Sequence, residues 1–120
     1  MTAMTLEDNI HHLMGLLGIT RNYRGYNVLV CAAELAVAEP DRLQLVTKSV
    51  YPDVAKCLGM RPAAVERNIR TVVSLVWDNN RKSFCWLTGS PIPPEKPTSG
   101  QFLSMVVAYL QYHAQQAVNQ

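Results

Sequence analysis

Three side chains within five residues carry the most legible chemistry in this chain: Glu66, Arg67 and Arg70. An arginine guanidinium is a planar fork of donors that fits O6 and N7 of guanine, and a carboxylate accepts from the N4 amino group of cytosine. With Val65 set at 0° and an advance of about 100° per residue, Ile69, Val72 and Val76 fall within about 40° of it and form a buried stripe. On the same scale Glu66 lies near ~100°, Arg70 near ~140° and Arg67 near ~200°. The two arginines therefore point away from the core, in the N-terminal half of the helix. That half is the part that reaches base edges when such a helix enters the major groove. The plainer reading is an exposed charged face with an i,i+4 Glu66–Arg70 pair worth only about 0.2–0.5 kcal/mol. Both readings hold together, since such a pair also orients the arginine.

A helix-turn-helix is the unit that would hold these side chains out, and Tyr51 to Trp77 has its pattern. The first motif helix is expected at about 52–58, with proline at its start, where a missing N–H costs nothing. Ala55 is small enough for a close helix crossing. Gly59, four residues on, supplies a left-handed turn. Val65, six beyond the glycine, is the buried anchor of the second helix, expected at about 62–77 and opened by Pro62. Val54, Leu58 and Met60 add apolar residues at the joint. Asn68 is polar where an apolar residue is expected, and Ile69 takes that place.

The rest of the chain reads as helix, and the fold class expected is all-α: a bundle of about six helices in a single domain spanning 1–120. Thr5 with Asp8 three residues on is a capping-box start, Ile10, Leu13, Met14 and Leu17 follow at helical spacing, and Gly18 ends the run. A second helix is expected from Gly25 to Ala38. Asp41 caps a short turn through Leu45. Another short helix or turn covers Lys82 to Leu87. The prolines of Ser90 to Lys96 make a rigid connector rather than an adaptor-domain ligand. Ser99 is expected to cap the last helix, whose apolar stripe is Phe102, Met105, Val106, Tyr109 and Leu110. Few runs alternate as a strand would.

Composition narrows the partners. The 120 residues are 48% apolar with a net charge of +2, enough for one core. Eight basic and three acidic residues fall between Arg42 and Lys82, so that segment is +5 and the remainder −3. A basic patch on a near-neutral chain suits a polyanion. Lys48, Lys56 and Arg61, from this segment, are assigned to DNA phosphates. Cys31, Cys57 and Cys85 are odd in number and widely spaced, which fits reduced thiols in a cytoplasmic protein. Cys31 and Cys57 are expected as small core residues, and Trp77, Trp86, Phe84 and Tyr109 as core anchors. His11 and His12 point about 100° apart on a helix and do not share one ion, so surface histidines are expected and no metal site or cofactor. No apolar run reaches the roughly 20 residues of a membrane span. No nucleophile–base pair, Gly-rich phosphate loop or paired-carboxylate motif is present, and no enzyme is expected.

Several stretches are specific enough to carry a resemblance. They are Gly25-Tyr26, Lys48 within TKSVYPDVAK, Val65-Glu66-Arg67, Ile69-Arg70, Trp77, and Lys96-Pro97-Thr98 before Phe102. From about Leu6 to His113 the chain resembles the C-terminal effector domain of the sporulation-initiation response regulator family (stage zero sporulation protein A). The resemblance implies a transcription factor of about six helices that binds a short DNA box, commonly as tandem domains on adjacent boxes. It implies base contacts from Glu66, Arg67 and Arg70, backbone contacts from the Lys96 to Thr98 region, and a contact of the region 78–95 with an RNA polymerase sigma factor. The chain departs from the family at Ala63-Ala64, where Ser-Arg is usual, which implies weaker binding or another box preference. Thr71 replaces a histidine, and 78–95 is divergent. The phosphoacceptor receiver domain of the family has no counterpart among the residues before Leu6. The alternative expectation is a protein-interaction module that kept the fold but binds another regulator.

Overall fold

The computed structural model describes residues 5–91 and 95–118. Residues 92–94 of the proline-rich connector lie outside the described residues. The elements are α1 (Leu6–Leu17), α2 (Gly25–Ala38), a 3-10 turn (Pro40–Leu45), α3 (Val46–Ser49), α4 (Tyr51–Leu58), α5 (Pro62–Asn79), α6 (Ser83–Thr88) and α7 (Ser99–Val118). All are helical, as the sequence leads one to expect. The helix beyond the expected six is the four-residue α3.

Local chemistry sets most of the boundaries. Thr5 and Asp8 form the reciprocal capping box of α1, and Gly18 closes it at φ 81°. The turn after α2 opens on Pro40 without a side-chain cap, so Asp41 sits inside it rather than capping it. The last helix is capped one residue earlier than expected. Thr98 N–H donates to Gln101 Oε1 at 2.9 Å, and Gln101 N–H donates to Thr98 Oγ1 at 3.1 Å. This second capping box leaves Ser99 as the first helical residue, with its hydroxyl turned to other uses.

α2 sits at the centre, against α1, α4, α5 and α7. Its buried residues include Ala32, Ala33 and Ala36, small enough for neighbouring helices to approach closely. At its first residue the approach is closest of all. A Cβ on Gly25 would lie 2.4 Å from Val72 Cγ2 and 2.7 Å from the Asn68 carbonyl oxygen. Only glycine lets the start of α2 rest on the middle of α5. The far end of α5 is fixed to α1 by Asn80, whose Nδ2 donates to the Leu17 carbonyl at 3.1 Å. Phe84 and Phe102 meet edge-on at 6.1 Å and join α6 to α7 in the same core.

Several residues sit differently from their expected places. Cys57 is exposed, because it faces outward on the short α4, while Cys31 is half-buried against the core. Trp86 is 41% exposed rather than an anchor, and Trp77 and Tyr109 are only partly buried; Phe84 alone of the four is fully enclosed. His11 is half-buried, stacked on Tyr26 at 5.5 Å and hydrogen-bonded to its hydroxyl. His12 is exposed. Leu58 is 42% exposed, so the joint of the motif rests on Val54, Ala55 and Val65, with Met60 partly buried against the core.

Candidate nucleic-acid interface

α4 and α5 form the helix-turn-helix. α4 begins at Tyr51, one residue before the expected start, and ends at Gly59 with φ 66°, the left-handed conformation that favours glycine. The N–H groups of Gly59 and Met60 both fall on the Ala55 carbonyl, so the chain reverses within a few residues. Arg61 is extended, and Pro62 opens α5. α5 buries Val65, Ile69, Val72, Val73 and Val76, which is the stripe given by the periodicity with Val73 added. Ile69 is fully buried. Asn68 beside it is half-buried and donates to the Ala64 carbonyl at 2.9 Å. A polar residue at this site is therefore satisfied within its own helix.

The start of α5 is open. Arg61, Pro62 and Ala63 are exposed, and so are Arg67 and Arg70. Pro62 has no N–H, and the N–H groups of Ala64 and Val65 both fall on the Arg61 carbonyl, so this helix start offers an anion the positive end of its dipole more than a row of free donors. An anionic backbone approaching this end meets favourable electrostatics before any side chain is counted. The Thr71 hydroxyl folds back onto the Arg67 carbonyl at 2.9 Å and does not extend from the surface.

Glu66 and Arg70 form the expected i,i+4 pair, Nη1 to Oε2 at 3.7 Å, with side chains 35% and 61% exposed. The same carboxylate has a second neighbour that periodicity did not reveal. Ser99 Oγ lies 3.4 Å from Glu66 Oε1, and Tyr51 OH donates to Ser99 Oγ at 2.9 Å. Burial, offset in part by the Ser99 hydrogen bond, raises the Tyr51 pKa, and the negative charge of Glu66 adds to the rise. Beside this group an open cleft of about 450 Å³ is lined by Glu66, Arg70, Thr71, Ser74 and Lys96 to Ser99. Lys96 and Thr98 are exposed there, with Pro97 buried between them. The tertiary fold thus brings two residues of a distant loop beside the outer face of α5. Lys48, Lys56 and Arg61 are also exposed, on α3, on α4 and in the turn, and do not line this cleft.

The basic segment is less uniform in space than in sequence. Arg42 is turned inward: Nε donates to Ser49 Oγ at 3.0 Å, and Nη2 reaches the Ser49 carbonyl and the Asp53 carboxylate. It pins the 3-10 turn and α3 to the start of α4. Arg81 stacks over Trp77 at 4.3 Å and donates to its carbonyl, closing the end of α5. Two of the eight cations are thus committed to structure. Among the described residues the ion pairs take up Arg42 and Arg70 but not Lys48, Lys56, Arg61 or Arg67.

Other chemistry is sparse. Among the described residues no group of three or more His, Cys, Asp or Glu is placed to hold a metal ion, and no helix is long and apolar enough to cross a membrane. Burial first, and then the neighbouring Cys57, push the Cys31 thiol up, which disfavours its thiolate.

The all-helical fold is what the resemblance implies, and the likeness extends across the chain. The model of the family described as sporulation initiation factor Spo0A C terminal matches residues 10–110. The match covers α2 to α6 entirely and most of α1 and α7, so the chain belongs to the Spo0A C-terminal family, that is, to the DNA-binding effector domains of sporulation regulators.

Proposed function

We propose that this chain reads a specific double-stranded DNA box by placing the first half of α5 in the major groove. The observation that carries the reading is the exposure of Arg67 and Arg70 on the side of α5 opposite its buried stripe, next to an unobstructed helix start. Glu66, Arg67 and Arg70 contact base edges, the arginines on guanine and the glutamate on cytosine. Lys48, Lys56, Arg61, Lys96 and Thr98 contact the DNA backbone and set the register. Thr98 suits that role because its oxygen accepts within the capping box while its proton is left for a phosphate oxygen. The whole chain acts as one helix-turn-helix domain. Two copies sit in tandem on adjacent boxes. The region around α6, where Trp86 is exposed, meets an RNA polymerase sigma factor.

Selection of bound oligonucleotides from a random pool tests the reading. A single enriched G·C-containing box is the expected result, and an unenriched pool would refute it. A second reading, docking of another regulator in place of DNA, is motivated by Ala63 and Ala64 at the helix start, which carry no donor. Salt separates the two. Binding through several phosphates weakens steeply as salt rises, whereas a chain without DNA affinity at low salt supports the protein partner.

A further inference from the structure

We infer that Ser99, itself held by Tyr51, is a positioning residue that sets the direction of Glu66 and, through it, of Arg70. The inference rests on the base-reading role proposed for Arg70. It concerns residues outside the motif's second helix: Tyr51 opens α4 and Ser99 opens α7.

The hydrogen-bond directions follow from the inventory of donors. A carboxylate only accepts, so the Ser99 proton must go to Glu66. The Tyr51 proton then goes to Ser99 Oγ, at 2.9 Å. That bond occupies one side of the serine oxygen and turns the serine proton away from the tyrosine, toward Glu66 Oε1. Tyr51 is 2% exposed and Ser99 8% exposed, so little bulk water competes for either hydroxyl, although Ser99 borders the open cleft. The chain Tyr51–Ser99–Glu66–Arg70 therefore runs from a buried, fixed donor on α4 through α7 to an exposed cation on α5.

An exposed i,i+4 pair alone fixes neither partner, because each long side chain gives up rotamer freedom for a weak attraction. A second contact on the opposite carboxylate oxygen changes this. With Oε1 directed to Ser99 and Oε2 to Arg70, the Glu66 carboxylate is restricted to orientations that face both. The 3.4 Å link to Ser99 is long for a hydroxyl–carboxylate bond, so its contribution is directional more than energetic. Directional control matters here, since a guanidinium fork reads guanine only when both donors lie in the plane of the base. Ser99 also follows Thr98 directly and Lys96 by three residues. The loop assigned to the DNA backbone is thus coupled to the side chain assigned to the bases.

The test uses the full chain and the duplex selected from the random pool. The readout is a discrimination ratio: affinity for the selected box over affinity for the same box with the Arg70-read base pair replaced. Ser99→Ala should lower this ratio about threefold to tenfold, part of the discrimination that a bidentate arginine–guanine contact supplies, with binding to random DNA unchanged. Tyr51→Phe should act in the same direction and serves if Ser99→Ala fails to fold. In an Arg70→Ala background Ser99→Ala should cost nothing further, a result that loss of packing would not give. An unchanged ratio in Ser99→Ala, or an equal loss with and without Arg70, overturns the positioning role while base reading stands. If Arg70→Ala itself leaves the ratio intact, base reading fails and the positioning role falls with it.

Discussion

Replacement of Arg70 by alanine separates stability from recognition, because the structure assigns the two effects very different sizes. In the free protein the guanidinium is 61% exposed and its carboxylate partner is 3.7 Å away. Solvent screening limits such a pair to about 0.2–1 kcal/mol, so the melting temperature should move by only a few degrees. Glu66 keeps its Ser99 neighbour and is not left buried and alone. At the bound box the same side chain has a larger role, since a bidentate arginine–guanine contact discriminates by about 1–3 kcal/mol, or roughly 5- to 150-fold in affinity. Arg70→Lys should recover attraction to the backbone but not discrimination, because an ammonium lacks the fork. The assay is fluorescence anisotropy with the selected box, its single-base variants and random duplex, at ~0.15 M ionic strength to suppress long-range steering. Loss confined to the selected box, with relaxed choice at one base pair, is the expected outcome. Equal loss on all three duplexes would show that Arg70 touches only phosphate and would refute the assignment.

Three further outcomes follow from other parts of the molecule. Lys96→Ala should weaken binding to selected and random DNA alike and reduce the slope of log affinity against log salt by about one unit; an unchanged slope removes Lys96 from the phosphate contacts. Gly59→Val places a branched side chain at φ 66°, a strain of about 1–3 kcal/mol. A Cβ there meets no atom within 4 Å, so the loss in a thermal melt would report backbone strain alone, and an unchanged melting temperature would refute the turn. Tyr51 has its pKa raised from the usual value of 10.0 by burial. The unfolded chain therefore releases this proton at lower pH than the folded one, and the stability Tyr51 contributes is whole below about pH 10 and declines as pH rises toward the folded-state value. Tyr51→Phe should flatten that alkaline decline in denaturant titrations, and an identical decline in both proteins would remove Tyr51 as its source.

The helix ends were legible because the residues that set them are neighbours in the chain. Thr5 with Asp8, Gly18, Gly59 and Pro62 act over one turn or less, and no tertiary context is needed to read them. The outward facing of Arg67 and Arg70 was equally local, since a helix of fixed pitch assigns each side chain an azimuth relative to Val65. The missed cap at Thr98 was local too: Gln101, three residues on, completes the box and was the available signal.

What sequence alone left open was everything that depends on a neighbour from elsewhere in the chain. Periodicity places Glu66 on the rim of α5 but gives no hint that Ser99 and Tyr51, 33 and 48 residues apart from their respective partners, converge there. The charge count gave eight cations, and only packing showed Arg42 and Arg81 turned to internal work. Cys57 and Trp86 have apolar character yet face solvent, because hydrophobicity ranks a residue's preference while the number of helices available to cover α4 and α6 decides its burial. Gly25 shows the same limit: a glycine opening a helix reads as weak helix-forming character until α5 is found within 3 Å of its missing Cβ. Sequence therefore determined the elements and the faces they present, since both follow from backbone geometry over a few residues. The fold decided which faces meet, because that is settled by steric fit between segments far apart in the chain.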